Sequence, residues 1–113
     1  MGTLGKRAIF ESLRSIDSAT FTGSYQNLGS ALINPCVLLK VVNNSTSLVT
    51  VTYNGTDDQD IAPAGSFYLY DFGSDSQSVS GDARLALAAG TQVKVKGSAG
   101  TGSVYLVIVY QGG

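Results

Sequence analysis

Residues 36–72 read CVLLKVVNNSTSLVTVTYNGTDDQDIAPAGSFYLYDF, in which apolar, β-branched or aromatic runs alternate with clusters of turn-forming residues. The first run, CVLLKVV (36–42), is apolar on both alternating faces except at Lys40, as expected of a central strand covered on both sides. NNSTS (43–47) is polar and is expected to turn the chain. LVTVTY (48–53) is rich in β-branched residues and ends on Asn54-Gly55. That dipeptide is the strongest short hairpin signal, because a type I′ turn needs positive φ at both central positions. Residues 57–61 fit a short edge strand ahead of the tight turn Pro63-Ala64-Gly65. SFYLYDF (66–72) then puts Phe67, Leu69 and Asp71 on one strand face and Tyr68, Tyr70 and Phe72 on the other.

Working outward, residues 73–80 form a small-residue loop, and RLALA (84–88) offers alternating Leu85 and Leu87. TQVKVK (91–96) sets Val93 and Val95 against Gln92, Lys94 and Lys96, the pattern of a half-buried strand. GSAGTG (97–102) reads as a hairpin turn, and VYLVIVY (104–110) as a second central strand. About eight strands from Ser18 onward, separated by frequent turns, give an all-β fold. The expected architecture is an antiparallel β-sandwich, with the jelly roll among the arrangements that fit. The N-terminal stretch differs. Ile9, Phe10, Leu13 and Ile16 have spacings compatible with one face of a short helix, and equally the segment fits an extended arm that orders on a neighbouring chain. The economical division is an arm at 1–17 and a sandwich domain at 18–113. Ile9, Phe10, Leu13 and Arg14 are the candidate interface residues of that arm.

The chain has 113 residues and a single cysteine, enough for one core and too few thiols for an intramolecular disulfide. Charged residues make up 13% of the chain and its formal net charge is -1. So thin a coat of charge suits a protein that hides much of its surface. The first apolar cluster is broken by Glu11 and Arg14, unlike a signal peptide. No run approaches the ~20 apolar residues of a membrane span. Lys40, Lys94 and Lys96 in a net acidic chain are a poor nucleic-acid footprint. Neither nucleic acid nor a membrane is therefore an expected partner.

The absence of histidine removes Ser-His-Asp and Cys-His catalysis, and it removes the commonest transition-metal ligand. Cys36 lies in an apolar run with no evident activator and reads as a small core side chain. Asp57, Asp58 and Asp60 are the main carboxylate concentration. They are weak calcium candidates, since the EF-hand spacing and its closing glutamate are missing. Aspartates at a hairpin end more often serve the turn itself. GSAGTG lacks the lysine and following helix of a phosphate loop. The six tyrosines read mainly as sheet packing, with partner or sugar contacts as the alternative. No cofactor is expected.

The stretches RSIDSATFTGSYQNLGSAL (14–32), CVLLKVVNNSTSLVTVTYNGTDDQDIAPAGSFYLYDFGS (36–74) and GTQVKVKGSAGTGSVYLVIVYQ (90–111) together resemble small virion structural proteins of tailed bacteriophages. Their shared pattern is an NNS-to-NGT hairpin, an aromatic strand ending in DF, and a closing GTQ-to-GTG segment. The resemblance implies a non-enzymatic particle subunit located in the virion and assembled in the host cytoplasm. A capsid decoration or cement protein that stabilises the head is the first expectation, with a tail or head-to-tail connector subunit as the second. A host-surface carbohydrate-binding module is the rival from another class. The implied partners are the major capsid protein or other virion subunits. Symmetry adds a homo-oligomer, a trimer being one closed ring that fits.

Overall fold

The computed structural model describes residues 7–72 and 86–112. The expected loop at 73–80, the start of RLALA at Arg84 and Leu85, and residues 1–6 of the arm lie outside the described residues.

The molecule is an all-β sandwich of antiparallel sheets. Its strands are β1 (Arg7–Phe10), β2 (Arg14–Asp17), β3 (Gln26–Asn27), β4 (Cys36–Ser45), β5 (Val49–Thr52), β6 (Asp60–Ala62), β7 (Phe67–Asp71), β8 (Lys94–Lys96) and β9 (Gly102–Gly112). A five-stranded sheet runs β1-β9-β4-β7 with β2 also on β9, and a four-stranded sheet runs β3-β8-β5-β6. The two long apolar runs, β4 and β9, pair at the middle of the larger sheet, as their patterning requires. Inward side chains meet from both layers: Leu39, Val41, Val104, Leu106 and Ile108 from one, Val49, Val51, Val93 and Val95 from the other, all fully buried. Each such aliphatic side chain contributes roughly 1.5–3 kcal/mol by leaving water. Phe21, Leu28 and Leu32, on the passage between β2 and β4, join the same core.

Several local expectations need correction. Residues 7–17 are not helical. They form strands on the free edge of β9, with Phe10 opposite Val109 and Arg14 opposite Leu106. Four steps along this edge therefore match three along β9, which defines a one-residue bulge within residues 11–13. The apolar spacing that suggests a helix face instead divides. Ile16 packs on the core, and Phe10 faces solvent.

The polar run NNSTS does not end β4, which continues to Ser45. Asn43 is fully buried within it, and the chain crosses to the other sheet only after Ser45. Asn54-Gly55 does not make a type I′ turn, because no residue other than glycine has positive φ among the described residues. Asn54 Oδ1 instead accepts from the N–H groups of Thr56 and Asp57, so a longer side-chain-bonded loop joins β5 to β6. GSAGTG is not a hairpin either, since it carries the chain from β8 in the smaller sheet to β9 in the larger one. Gly102 sits there at φ 94° opposite Ser45, where a Cβ would run into the Asn44 carbonyl oxygen.

Candidate functional site

The N-terminal edge strand makes one corner of the molecule. Inside its bulge, the side chains of Arg14 and Glu11 form an ion pair at 2.7 Å with only 5% and 2% of their surfaces exposed. The remaining donors of Arg14 reach Ser30 O at 2.7 Å, Ala31 O at 3.0 Å and Ser12 O at 3.2 Å. Glu11 accepts from Asn34 N and Asn34 Nδ2 at 2.8 and 3.0 Å, and from Ile33 N. Burial by itself pushes the Glu11 carboxyl up, but the donors of Arg14, Asn34 and Ile33 outweigh it and hold the group below the usual carboxylate range. A residue expected at an interface, Arg14, thus points inward and fastens the edge strand to the 30–34 loop. Ile9 is at the border of exposure and lies over Gly112.

What this clamp presents outward is apolar. Phe10, Leu13 and Ile33 are 69%, 62% and 73% exposed and border one shallow cavity over Arg14 with Tyr110. Register places further apolar side chains on the outer face of the larger sheet, Val109 among them buried beneath its neighbours, because side chains opposite one another share a face. Phe10, Val109 and Leu38 form one row, while Tyr105, Val42 and Phe67 form another. Phe67 and Leu69 at the far edge are largely exposed, and Lys40 sits over the Phe67 ring at 5.3 Å. Ile33, outside any patterned strand, carried no signal in the sequence.

Asp57 and Asp58 of the β5–β6 loop and Asp60 at the start of β6 go to different partners. Asp57 accepts from Asn54 Nδ2. Asp58 accepts from the Tyr25 hydroxyl and pairs with Lys96 at 3.0 Å; hydrogen bonds from both hold its carboxyl below the usual range. Lys96 also lies over the Tyr25 ring at 4.7 Å. Asp60 Oδ2 accepts from Tyr53 and Tyr70 hydroxyls at 2.9 and 2.8 Å. Among the described residues, no group of three His, Cys, Asp or Glu side chains converges as a metal site would need.

Asp60 anchors a tyrosine cluster between the edge strands β6 and β7. Tyr68 and Tyr53 share a hydroxyl–hydroxyl bond, and the Tyr70 and Phe72 rings stack at 5.8 Å with 14° between planes. A cavity of about 390 Å³ opens beside them, lined by Tyr53, Gln59, Asp60, Tyr70, Phe72 and Leu87. Burial foremost pushes the Tyr53 and Tyr68 phenols up. The Asp60 hydrogen bond, then burial, raises Tyr70, and burial with the Asp58 hydrogen bond takes Tyr25 up to about 12. Folded phenol pKa values above the unfolded ~10 mean stability that is intact below pH ~10 and lost as pH rises beyond it. Thermal unfolding followed by circular dichroism is expected to show this alkaline decline, with a shallower slope in Tyr53→Phe. A melting temperature that stays flat from pH 9 to 11.5 would contradict the assignment.

Cys36 is fully buried in the core, and burial foremost raises its thiol pKa, the opposite of an activated nucleophile.

No protein-family model matches the sequence. No curated protein matches it either. A comparison of folds does find a partner: a chain described as "Cyanophage Pam1 capsid asymmetric unit" superposes with a TM-score of 0.54 and 10% sequence identity, covering 98% of this chain and 89% of that one. At that identity the likeness is one of fold, and it embraces both sheets and the N-terminal edge strand together.

Proposed function

We propose that the chain is a non-enzymatic structural subunit of a bacteriophage particle, a capsid decoration or cement protein that seats its Phe10–Leu13–Ile33 corner on the major capsid protein. The observation that carries this reading is the corner itself. Three large apolar side chains stand in water on the N-terminal edge and the adjoining 30–34 loop, which a buried, multiply hydrogen-bonded ion pair ties together, an arrangement suited to a preformed contact. Support comes from the fold shared with a chain of a phage capsid unit and from the low charge of the sequence. The missing histidine and the sheltered thiol favour a role without catalysis. Phe67 and Leu69, at the opposite edge of the same sheet, would meet a second copy in a closed homo-oligomer such as a trimer. Assembly would take place in the host cytoplasm. A tail or head-to-tail connector subunit is the second reading, in which the same corner seats on a different ring.

Mass spectrometry of separated heads and tails tests the choice. A decoration protein is expected on expanded heads at fixed copy number and absent from tails; the reverse distribution selects the connector reading. Within the first reading, Phe10→Asp with Leu13→Asp is expected to weaken head binding at least about tenfold while the isolated protein stays folded. Both positions are exposed, so this pair is a cleaner probe than deleting residues 1–16, which would strip β1 and the Arg14 clamp partner from the sheet. Unchanged occupancy of the double variant would overturn the assigned corner.

A further inference from the structure

The cavity beside Asp60 lies on the β7 edge of the larger sheet, away from the β1–β2 edge that carries the Phe10 corner. Its volume of about 390 Å³ is at the low end of the ~300–1,000 Å³ range of small-molecule sites. One wall is aromatic: Tyr70 and Phe72, two residues apart on one chain segment, stack with their rings nearly parallel, and both line the cavity. Leu87 adds apolar surface.

The polar groups of the cavity are held in place and still have capacity to bind. Asp60 uses Oδ2 for the Tyr53 and Tyr70 hydroxyls, and its Oδ1 makes no side-chain hydrogen bond among the described residues. Gln59 uses Oε1 to accept from the Tyr53 N–H at 2.7 Å, a bond that orients the amide and leaves the Nε2 hydrogens available. An acceptor and a donor with spare capacity therefore come from adjacent residues, both of which line the cavity together with the aromatic pair.

We propose that this cavity binds a neutral saccharide. The C–H face of a pyranose ring would lie against Tyr70 and Phe72. One of two vicinal hydroxyls would donate to Asp60 Oδ1, and the other would accept from Gln59 Nε2. The amide is what separates this ligand from a cation. A carboxylate among aromatic rings also suits a quaternary or primary ammonium group, but such a group has no acceptor for the Gln59 N–H donors, whereas a hydroxyl is both donor and acceptor. The Tyr53 and Tyr70 hydroxyls, whose hydrogens go to Asp60, add lone pairs that accept. The cavity and the Phe10 corner occupy opposite edges of the larger sheet, and Phe67 and Leu69, although on the β7 edge, project from the opposite strand face to Tyr70, so the inference does not depend on which particle structure holds the chain.

The full chain should be titrated with glucose, galactose, mannose and N-acetylglucosamine, and separately with choline and Nα-acetyl-lysine amide, following tyrosine fluorescence and heteronuclear NMR shifts. At least one sugar is expected to bind with a dissociation constant on the order of millimolar, as for a small, open site. Gln59→Ala and Tyr70→Ala should each weaken that binding by about tenfold, with circular dichroism unchanged. The shifted amides should include Gln59, Asp60 and Tyr70. The proposal is overturned if no sugar binds at up to about 100 mM. It also fails if only the ammonium compounds bind, or if sugar binding survives both substitutions.

Discussion

Asn43→Leu is expected to remove about 3–5 kcal/mol of unfolding free energy, because it strands buried backbone acceptors instead of merely deleting a contact. Asn43 is fully buried in β4. Its Nδ2 donates to Ser47 O at 2.7 Å and Ala62 O at 2.8 Å, with Pro63 O at 3.2 Å, while its Oδ1 accepts from Ser45 Oγ at 2.6 Å. These carbonyls belong to two of the places where the chain changes sheets, after β4 and after β6. Leucine fills similar space but offers no donor, and each unpaired buried carbonyl costs about 1–3 kcal/mol. Asn43→Asp keeps the acceptor for Ser45 and loses the donors, so it should be at least as damaging near neutral pH. Urea denaturation at constant m-value measures both. A loss below about 1 kcal/mol for the leucine variant would show that water replaces the amide there.

Arg14→Ala carries the second large effect, about 3–5 kcal/mol, the usual consequence of leaving one member of a buried ion pair alone. The substitution isolates Glu11, whose side chain is 2% exposed, and removes the donors to Ser30 O and Ala31 O. Lysine should not rescue it, since one ammonium cannot reproduce a planar fork that serves several acceptors. The pH dependence identifies the cause. In the native protein Glu11 titrates below its ordinary value, so its stabilising contribution is present above the unfolded pKa of ~4.3 and is lost as pH falls through the lower folded value. Without Arg14, burial is left opposed only by Asn34 and Ile33, and the carboxyl becomes easier to protonate. The difference between wild type and Arg14→Ala should therefore be largest near neutral pH and shrink towards pH 3. A difference that stays constant across pH 3–8 would mean that lost packing, not the orphaned charge, is responsible.

Much of the sandwich was legible in the sequence because strand patterning is local. The continuous apolar runs of β4 and β9 marked the centre of a sheet, and Val93 and Val95 marked a half-buried strand. The alternation in β7 correctly separated Phe67 and Leu69 from Tyr68 and Tyr70. What failed were the connections. Asn43 looked like the start of a turn because asparagine is usually exposed, and its burial depends on the Ala62 and Pro63 carbonyls, distant in sequence, as well as on Ser47 nearby. Asn54-Gly55 and GSAGTG have hairpin composition, yet turn composition does not reveal whether the next strand stays in the same sheet. At the N-terminus, a bulge offsets the two halves of the edge strand by one residue, which scrambles the period of two and leaves a spacing that mimics a helix. The corner was half visible: Phe10 and Leu13 stood out as apolar residues beside charges, whereas Ile33 is recruited by the Glu11 bonds to the 33–34 backbone. In the tyrosine cavity, each aromatic residue was evident, but its convergence on Asp60 depends on β6 and β7 lying at neighbouring edges of different sheets.

The position of β9 also bears on the order of events during synthesis. Of the strands of the larger sheet, β9 is synthesised after β1, β2, β4 and β7, and it is the template on which β1, β2 and β4 are all aligned. Until residues 102–112 emerge, the N-terminal strand has nothing to pair with and the long apolar β4 has one side open. Folding of that layer consequently waits for residues 102–112 and is dominated by distant pairings, the slow regime for small domains. A nascent chain halted before residue 102 would expose β4 as a sticky edge, while one in which residues 102–112 have emerged could close the layer from both sides at once.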